Sequence, residues 1–365
     1  MIKLYITEPG STANRTRPRT LHSIQVLRAL AAMLVVLFHG QLAFSTRIVD
    51  PGFVSESYLF AFGAVGVHIF FVISGFIMVF TSRFDGGFNA KGFMRRRLLR
   101  IYPIYWICAA LYLCVHALFG ISYDISLGKV VGALLLLPGD AAAIIGPAWT
   151  LAFEMFFYLC FAVTMLAGLN RGLTMLAAFF LISIILGTLL PIDNPVWNLI
   201  TNSLLLEFIA GAIIGWLLAR NLLPKKGGFA LILISMIIFI GGIICGYDKL
   251  PSIIMWGAPS TMLVAGAVIA ESGRMAPIWI RRIGHFGDSS YALYLVHILV
   301  ITVVVQLALP FPAMGKIEPA LAAIIIAMLA LVIAELLHHR LEKPLLRKLN
   351  PKRPLSPVRD AEASR

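Results

Sequence analysis

Arg28 and His39 stand eleven residues apart in an otherwise apolar run from Ser23 to Gly40. Three helical turns fill that separation, so on an α-helix the two side chains share a face and lie about 16 Å apart along the axis. An ionisable group inside a lipid-spanning segment costs at least ~2.5–3.5 kcal/mol on insertion scales and therefore marks function by default. A guanidinium is suited to holding an anion and an imidazole to moving a proton. Further cations and carboxylates fall in apolar surroundings. Arg95 and Arg96 read as topology anchors, whereas Arg97 and Arg100, at i and i+3 beside apolar residues, are candidates to hold an anionic ligand. Glu154, in Trp149-Thr-Leu-Ala-Phe-Glu154-Met-Phe-Phe-Tyr158, is expected to pair with His39, because a carboxylate beside an imidazole orients the ring and stabilises its protonated form.

Other polar residues divide between chemistry and packing. His68, inside the run Gly66 to Phe76, reads as a packing contact or a substrate contact. Tyr291, Tyr294 and His297 share a face by i, i+3 spacing, and His297 is as suited to a hydrogen bond with a neighbouring helix as to substrate. Glu207 is a further intramembrane carboxylate; Gly211 and Gly215 beyond it form a small-xxx-small pair that reads as helix packing. Asp288, Ser289 and Ser290 read as an N-terminal cap, and Glu342-Lys343-Pro344 as a terminal pin. Cys108, Cys114, Cys160 and Cys245 lie in apolar runs without CxxC or Cys/His spacing, and no metal site is expected.

The elements that must position these residues are membrane helices. Sixty per cent of the 365 residues are hydrophobic, 13% are charged, and the mean hydropathy is +0.91. That composition excludes the soluble globular class and predicts an all-α polytopic membrane protein. At about 20 apolar residues per span, helices are expected near 24–43, 61–82, 98–119, 148–169, 172–190, 199–219, 229–246, 253–271, 287–309 and 318–340. Ile125 to Leu137 is short for a span, and an interfacial or re-entrant helix on the outer side suits it better.

Ten spans put both termini on one side. One set of connections, with the termini and helix ends, holds 26 of the 30 Lys and Arg residues; the other holds Arg47, Lys129, Lys249 and Lys316. The positive-inside rule then places both termini in the cytoplasm, and it accounts for the net charge of +13 without nucleic acid. Residues 1–22 form a basic N-terminal segment, 23–344 one transmembrane domain, and 345–365 a Pro-rich, charged tail expected to be disordered.

With this orientation, Arg28, Arg97 and Arg100 form a cytoplasmic tier, and His39, His68 and Glu154 an outer one. A single substrate reaching both suggests an acyl-coenzyme A, its phosphates on the arginines and its thioester near His39. The imidazole could serve as base for a sugar hydroxyl or carry the acyl group itself; both remain open. The competing readings are a transporter or flippase, for which no internal symmetry is found, and a non-catalytic partner of polysaccharide-synthesis machinery.

Arg28-x10-His39, Phe70-Phe71-Val72-Ile73-Ser74-Gly75-Phe76, Arg97-x-x-Arg100-Ile-Tyr-Pro103, Trp149 to Tyr158, Ser290 to His297 and Glu342-Lys-Pro344 together resemble the membrane-bound acyltransferase-3 family, over about residues 22–344. The resemblance extends to bacterial O-acetyltransferases of exopolysaccharide, lipopolysaccharide and signalling oligosaccharides. It implies an inner-membrane enzyme that moves an acyl group, commonly acetyl, from cytoplasmic acyl-CoA to a glycan. Acetyl-CoA would be a cosubstrate, with no permanently bound cofactor and membrane lipid around the chain. His39 would be the catalytic histidine, Glu154 its acidic partner, and Arg28, Arg97 and Arg100 the coenzyme contacts. Ser74 and the glycine beside it would belong to the acyl channel. His68, Trp149, Tyr158, Tyr294 and His297 are the candidate substrate contacts. Some members add a periplasmic hydrolase-like domain; this sequence resembles the stand-alone form.

Overall fold

A computed structural model describes residues 4–6, 17–19, 21–48, 59–82, 87–122, 125–246, 250–272 and 276–349. Of the tail expected to be disordered, 345–349 are helical, and 350–365 lie outside the described residues. Ahead of the helices, β1 (Leu4–Ile6) and β2 (Arg17–Arg19) form a short antiparallel pair. The elements described after them are all helices. The elements are α1 (His22–Arg47), α2 (Val65–Thr81), α3 (Ala90–Leu118), α4 (Leu127–Leu134), α5 (Trp149–Thr164), α6 (Leu169–Leu189) and α7 (Pro195–Ile200), then α8 (Leu205–Ala219), α9 (Gly228–Cys245), α10 (Ala258–Ser272), α11 (Ile278–Ile283), α12 (Ser290–Ala308), α13 (Pro319–Leu337) and α14 (Lys343–Leu349).

Ten helical segments among the described residues are long and apolar enough to cross a bilayer. They coincide with the ten expected from hydropathy, with displaced ends. The third begins at Ala90 rather than 98, so Arg95, Arg96 and Arg97 lie within α3 and not ahead of it. Asn89 starts that helix by accepting the Gly92 amide at 2.7 Å, which lets it reach beyond the apolar run.

Helix α1 packs against α2, α10, α12 and α13, and it contributes to two of the three core clusters. The third cluster gathers α3, α5, α6 and α8 against one face of α2. Helices α2 and α8 touch backbone to backbone. A Cβ on Gly211 would lie 1.8 Å from the Val72 carbonyl, and one on Gly75 1.9 Å from that of Phe208. Any larger side chain would force the pair apart. This confirms Gly211 as a packing residue. Gly75, expected in an acyl channel, is a packing residue too, since its missing Cβ is what admits α8. The outer faces of α6 and α9 leave Ile182, Ile185, Ile237 and Ile240 exposed, as a bilayer solvent requires.

The segment expected to be interfacial or re-entrant turns back into the bundle. Ser126 caps α4, and the carbonyls at its far end are taken by aromatic groups of α3: Tyr105 Oη donates to Ala133 O (2.8 Å), Trp106 Nε1 to Leu134 O (2.9 Å) and Tyr102 Oη to Leu135 O (3.0 Å). Trp106 lies twelve residues before the end of α3, about 18 Å back along its axis. Backbone freed from helical pairing at that depth needs such donors. Leu136 then turns through φ 56°, and the chain reaches Gly146–Ala148 with Ala141, Ile144 and Ile145 buried. As a result α5 begins inside the bundle, not at its surface.

Candidate active site

Three arginines converge at the end of the bundle where α1 starts. Arg28, only 8% exposed, donates through Nη1 to Gln25 Oε1 (3.0 Å) and through Nη2 to Ser290 Oγ (2.8 Å). Gln25 is turned by donating Nε2 to Asp288 Oδ1 (3.0 Å), and Ser290 by donating to Gly287 O (2.9 Å). The Asp288-Ser289-Ser290 segment, expected to cap α12, makes no side-chain cap there; Asp288 and Ser290 instead brace Arg28, the first through Gln25 and the second directly. Arg97 donates to Thr81 Oγ1 (3.0 Å), lies 5.2 Å from the Phe93 ring centroid and 5.6 Å from that of Tyr158, and keeps a buried Nε without a hydrogen-bond partner. Arg100 covers the Tyr291 ring at 6.0 Å. Arg100 acts electrostatically on both of the other arginines.

Glu154 belongs to this end. Its Oε1 accepts from Ser74 Oγ (2.9 Å) and, through a short bond, from Tyr158 Oη. Its charge acts on Arg28 and Arg97. The expected Glu154–His39 pair is therefore replaced by a Glu154–Ser74–Tyr158 group, because the re-entrant arm delivers the start of α5 deep into the bundle. One turn into α5, Glu154 has already reached the level of the arginines.

A run of polar groups continues upward from here. Thr150 Oγ1 and Tyr294 Oη lie 2.6 Å apart, and Tyr294 Oη also donates to Pro147 O (2.8 Å). The Tyr294 ring meets that of His297 at 5.8 Å, and the His297 ring that of His39 at 5.2 Å. His297 is wholly buried, with Nε2 3.4 Å from His39 Nδ1. The same Nδ1 lies 2.9 Å from the Val35 carbonyl. A carbonyl only accepts, so Nδ1 carries the proton and Nε2 keeps its lone pair. His39 itself is half-buried. Its orienting partners are thus a backbone carbonyl and a second imidazole.

Two expected substrate contacts lie elsewhere. His68 Nδ1 is bonded to Glu207 Oε1 at 2.6 Å, with Trp256 6.4 Å away ring to ring, on the side of α2 turned from the column. Each group offsets the other's desolvation there. Trp149 meets Phe153 at 5.7 Å and is 39% exposed. Sequence alone assigns Thr150 and Gln25 no role in the site and reads Ser290 as a cap; these polar side chains acquire their role through partners remote in the chain.

A polytopic helical bundle with a polar column running from clustered arginines to a half-buried imidazole has the build of a membrane-embedded group-transfer enzyme. Residues 21–339 match the acyltransferase domain family. The chain belongs to that family. It is 33% identical over 304 residues to the exopolysaccharide production protein ExoZ of Rhizobium meliloti (strain 1021), covering 79% of this chain and 91% of that protein. No solved structure matches it significantly.

Proposed function

We propose that this acyltransferase moves an acyl group, acetyl in the first instance, from acyl-CoA to a hydroxyl of an exported glycan, with exopolysaccharide the acceptor class suggested by the ExoZ relative. The observation that carries the reading is the succession of polar groups between Arg28, Arg97 and Arg100 at one end and His39 at the other, inside an apolar bundle. Both termini and the arginine end face the cytoplasm of a bacterial inner membrane, where acyl-CoA is available, and the His39 end faces outward. The basic bias of the connections on that side supports this orientation.

The coenzyme's phosphates take the guanidinium groups, including the unpartnered Nε of Arg97. Ser74, Tyr158 and Tyr294 line the path of the pantetheine arm. At its end, Nε2 of His39 removes the proton from the acceptor hydroxyl as the oxygen attacks the thioester carbonyl. A tetrahedral intermediate forms, the C–S bond breaks, and the imidazolium returns its proton to the departing thiolate. The Val35 carbonyl keeps Nδ1–H in place throughout, and His297 Nε2 shares that hydrogen as the ring becomes positive.

Mass spectrometry of surface glycan from cells expressing the wild type or His39→Ala tests the reading. Loss of acylation at equal protein level is expected; retained acylation contradicts it.

A further inference from the structure

Three ligating side chains meet outside the column, at the arginine end of the bundle. His285 comes from the turn Gly284–Gly287, Glu335 from the last turn of α13 and His339 from the π-helical turn His338–Glu342. Each offers one ligand atom, and these atoms lie within 4.8 Å of one another. His339 Nε2 is 3.4 Å from Glu335 Oε2, and the rings of His285 and His339 stack at 5.7 Å with 24° between their planes. A tetrahedral ion with bonds of about 2.0–2.1 Å separates its ligand atoms by roughly 3.4 Å, the spacing already present between His339 and Glu335. The other oxygen of Glu335 accepts from Ser289 Oγ at 2.5 Å, so the carboxylate is oriented from behind in the way ligating carboxylates are. Both histidines are exposed and Glu335 is half-buried, so an ion can enter directly from water.

We propose that His285, Glu335 and His339 form a binding site for a divalent transition metal of the zinc class, with water in the fourth position. Two imidazoles and one carboxylate favour zinc over magnesium or calcium, which take all-oxygen shells. The ion joins the end of α13 to the turn that braces the arginine tier. Within that turn Gly287 presses on the Gln25 backbone and accepts from Ser290, the hydroxyl that receives Arg28. Its role is therefore to fix the frame around Arg28 rather than to take part in group transfer. Fifty residues separate His285 from Glu335, so sequence spacing does not reveal the set.

The full-length protein, purified in detergent without a polyhistidine tag and stripped with a chelator, is equilibrated with Zn2+, Mg2+ or Co2+, and bound metal is measured by mass spectrometry. Stoichiometric zinc without magnesium is expected, and Co2+ should give the intense visible bands of four-coordination. His285→Ala and His339→Ala should each weaken zinc by more than the roughly 10–100-fold that loss of a supporting partner costs. Glu335→Gln, which preserves shape, should weaken it as well. His338→Ala, whose ring pairs with Glu342 at 2.8 Å instead, should leave zinc binding unchanged. Zinc retained equally by the wild type and the His285→Ala/His339→Ala protein overturns the proposal, as does a folded wild type that binds none.

Discussion

The imidazole of His39 is held by a carbonyl and a second histidine where an acidic partner is the usual arrangement. A neutral orienter fixes the tautomer and ring angle but stabilises the imidazolium less than a carboxylate does. His297→Ala should therefore lower kcat through misorientation with little change in the KM for acyl-CoA, and by less than His39→Ala, for which a loss of about 10²–10⁴-fold is expected. Steady-state kinetics of the two purified variants separates them; equal kcat for His297→Ala and the wild type would remove His297 from the site. Arg28→Ala acts at the other end. Losing a charged hydrogen-bonding group costs about 1.5–3 kcal/mol, so KM for acyl-CoA should rise roughly ten- to a hundredfold while kcat is largely kept.

At the scale of elements, hydropathy was enough to find the spans, because a run of about 20 apolar residues has few other uses. Position along a helix was also legible. Arg28 and His39 lie on the stripe their spacing predicts, each with a partner on α12: Ser290 for one and His297 for the other. The depth at which a helix enters is not written in its own sequence. Hydropathy places Glu154 near the outer membrane surface, yet the arm through α4 and Pro147 starts α5 beside Tyr294, and the carboxylate is carried down to Ser74 and Arg97. Azimuth was equally hidden for His68, which faces Glu207 on α8. Removing one member of that buried pair should destabilise the bundle by about 3–5 kcal/mol. Glu207→Ala should accordingly lower the thermal midpoint in detergent without a specific KM effect; an unchanged midpoint would show the pair to be energetically idle. Gly211→Leu should abolish folded protein altogether, since its Cβ alone meets the Val72 carbonyl at 1.8 Å.

For the whole molecule, the proposed reaction brings the acyl-CoA in from the arginine end and the acceptor from the His39 end. That geometry demands a fixed orientation. In a protein whose native cysteines are replaced, Arg47→Cys at the end of α1 should react with a membrane-impermeant thiol reagent added to intact spheroplasts, while Arg95→Cys on α3 should react only after lysis; the opposite pattern would place the arginines on the wrong side for acyl-CoA. The most direct test of the account is transfer of label from acetyl-CoA to the acceptor glycan by purified His39→Ala and Arg28→Ala proteins, with coenzyme binding measured alongside. The account predicts that His39→Ala binds acetyl-CoA at wild-type affinity and transfers nothing, while Arg28→Ala binds weakly and still transfers at saturating coenzyme. Transfer by His39→Ala near the wild-type rate would contradict it.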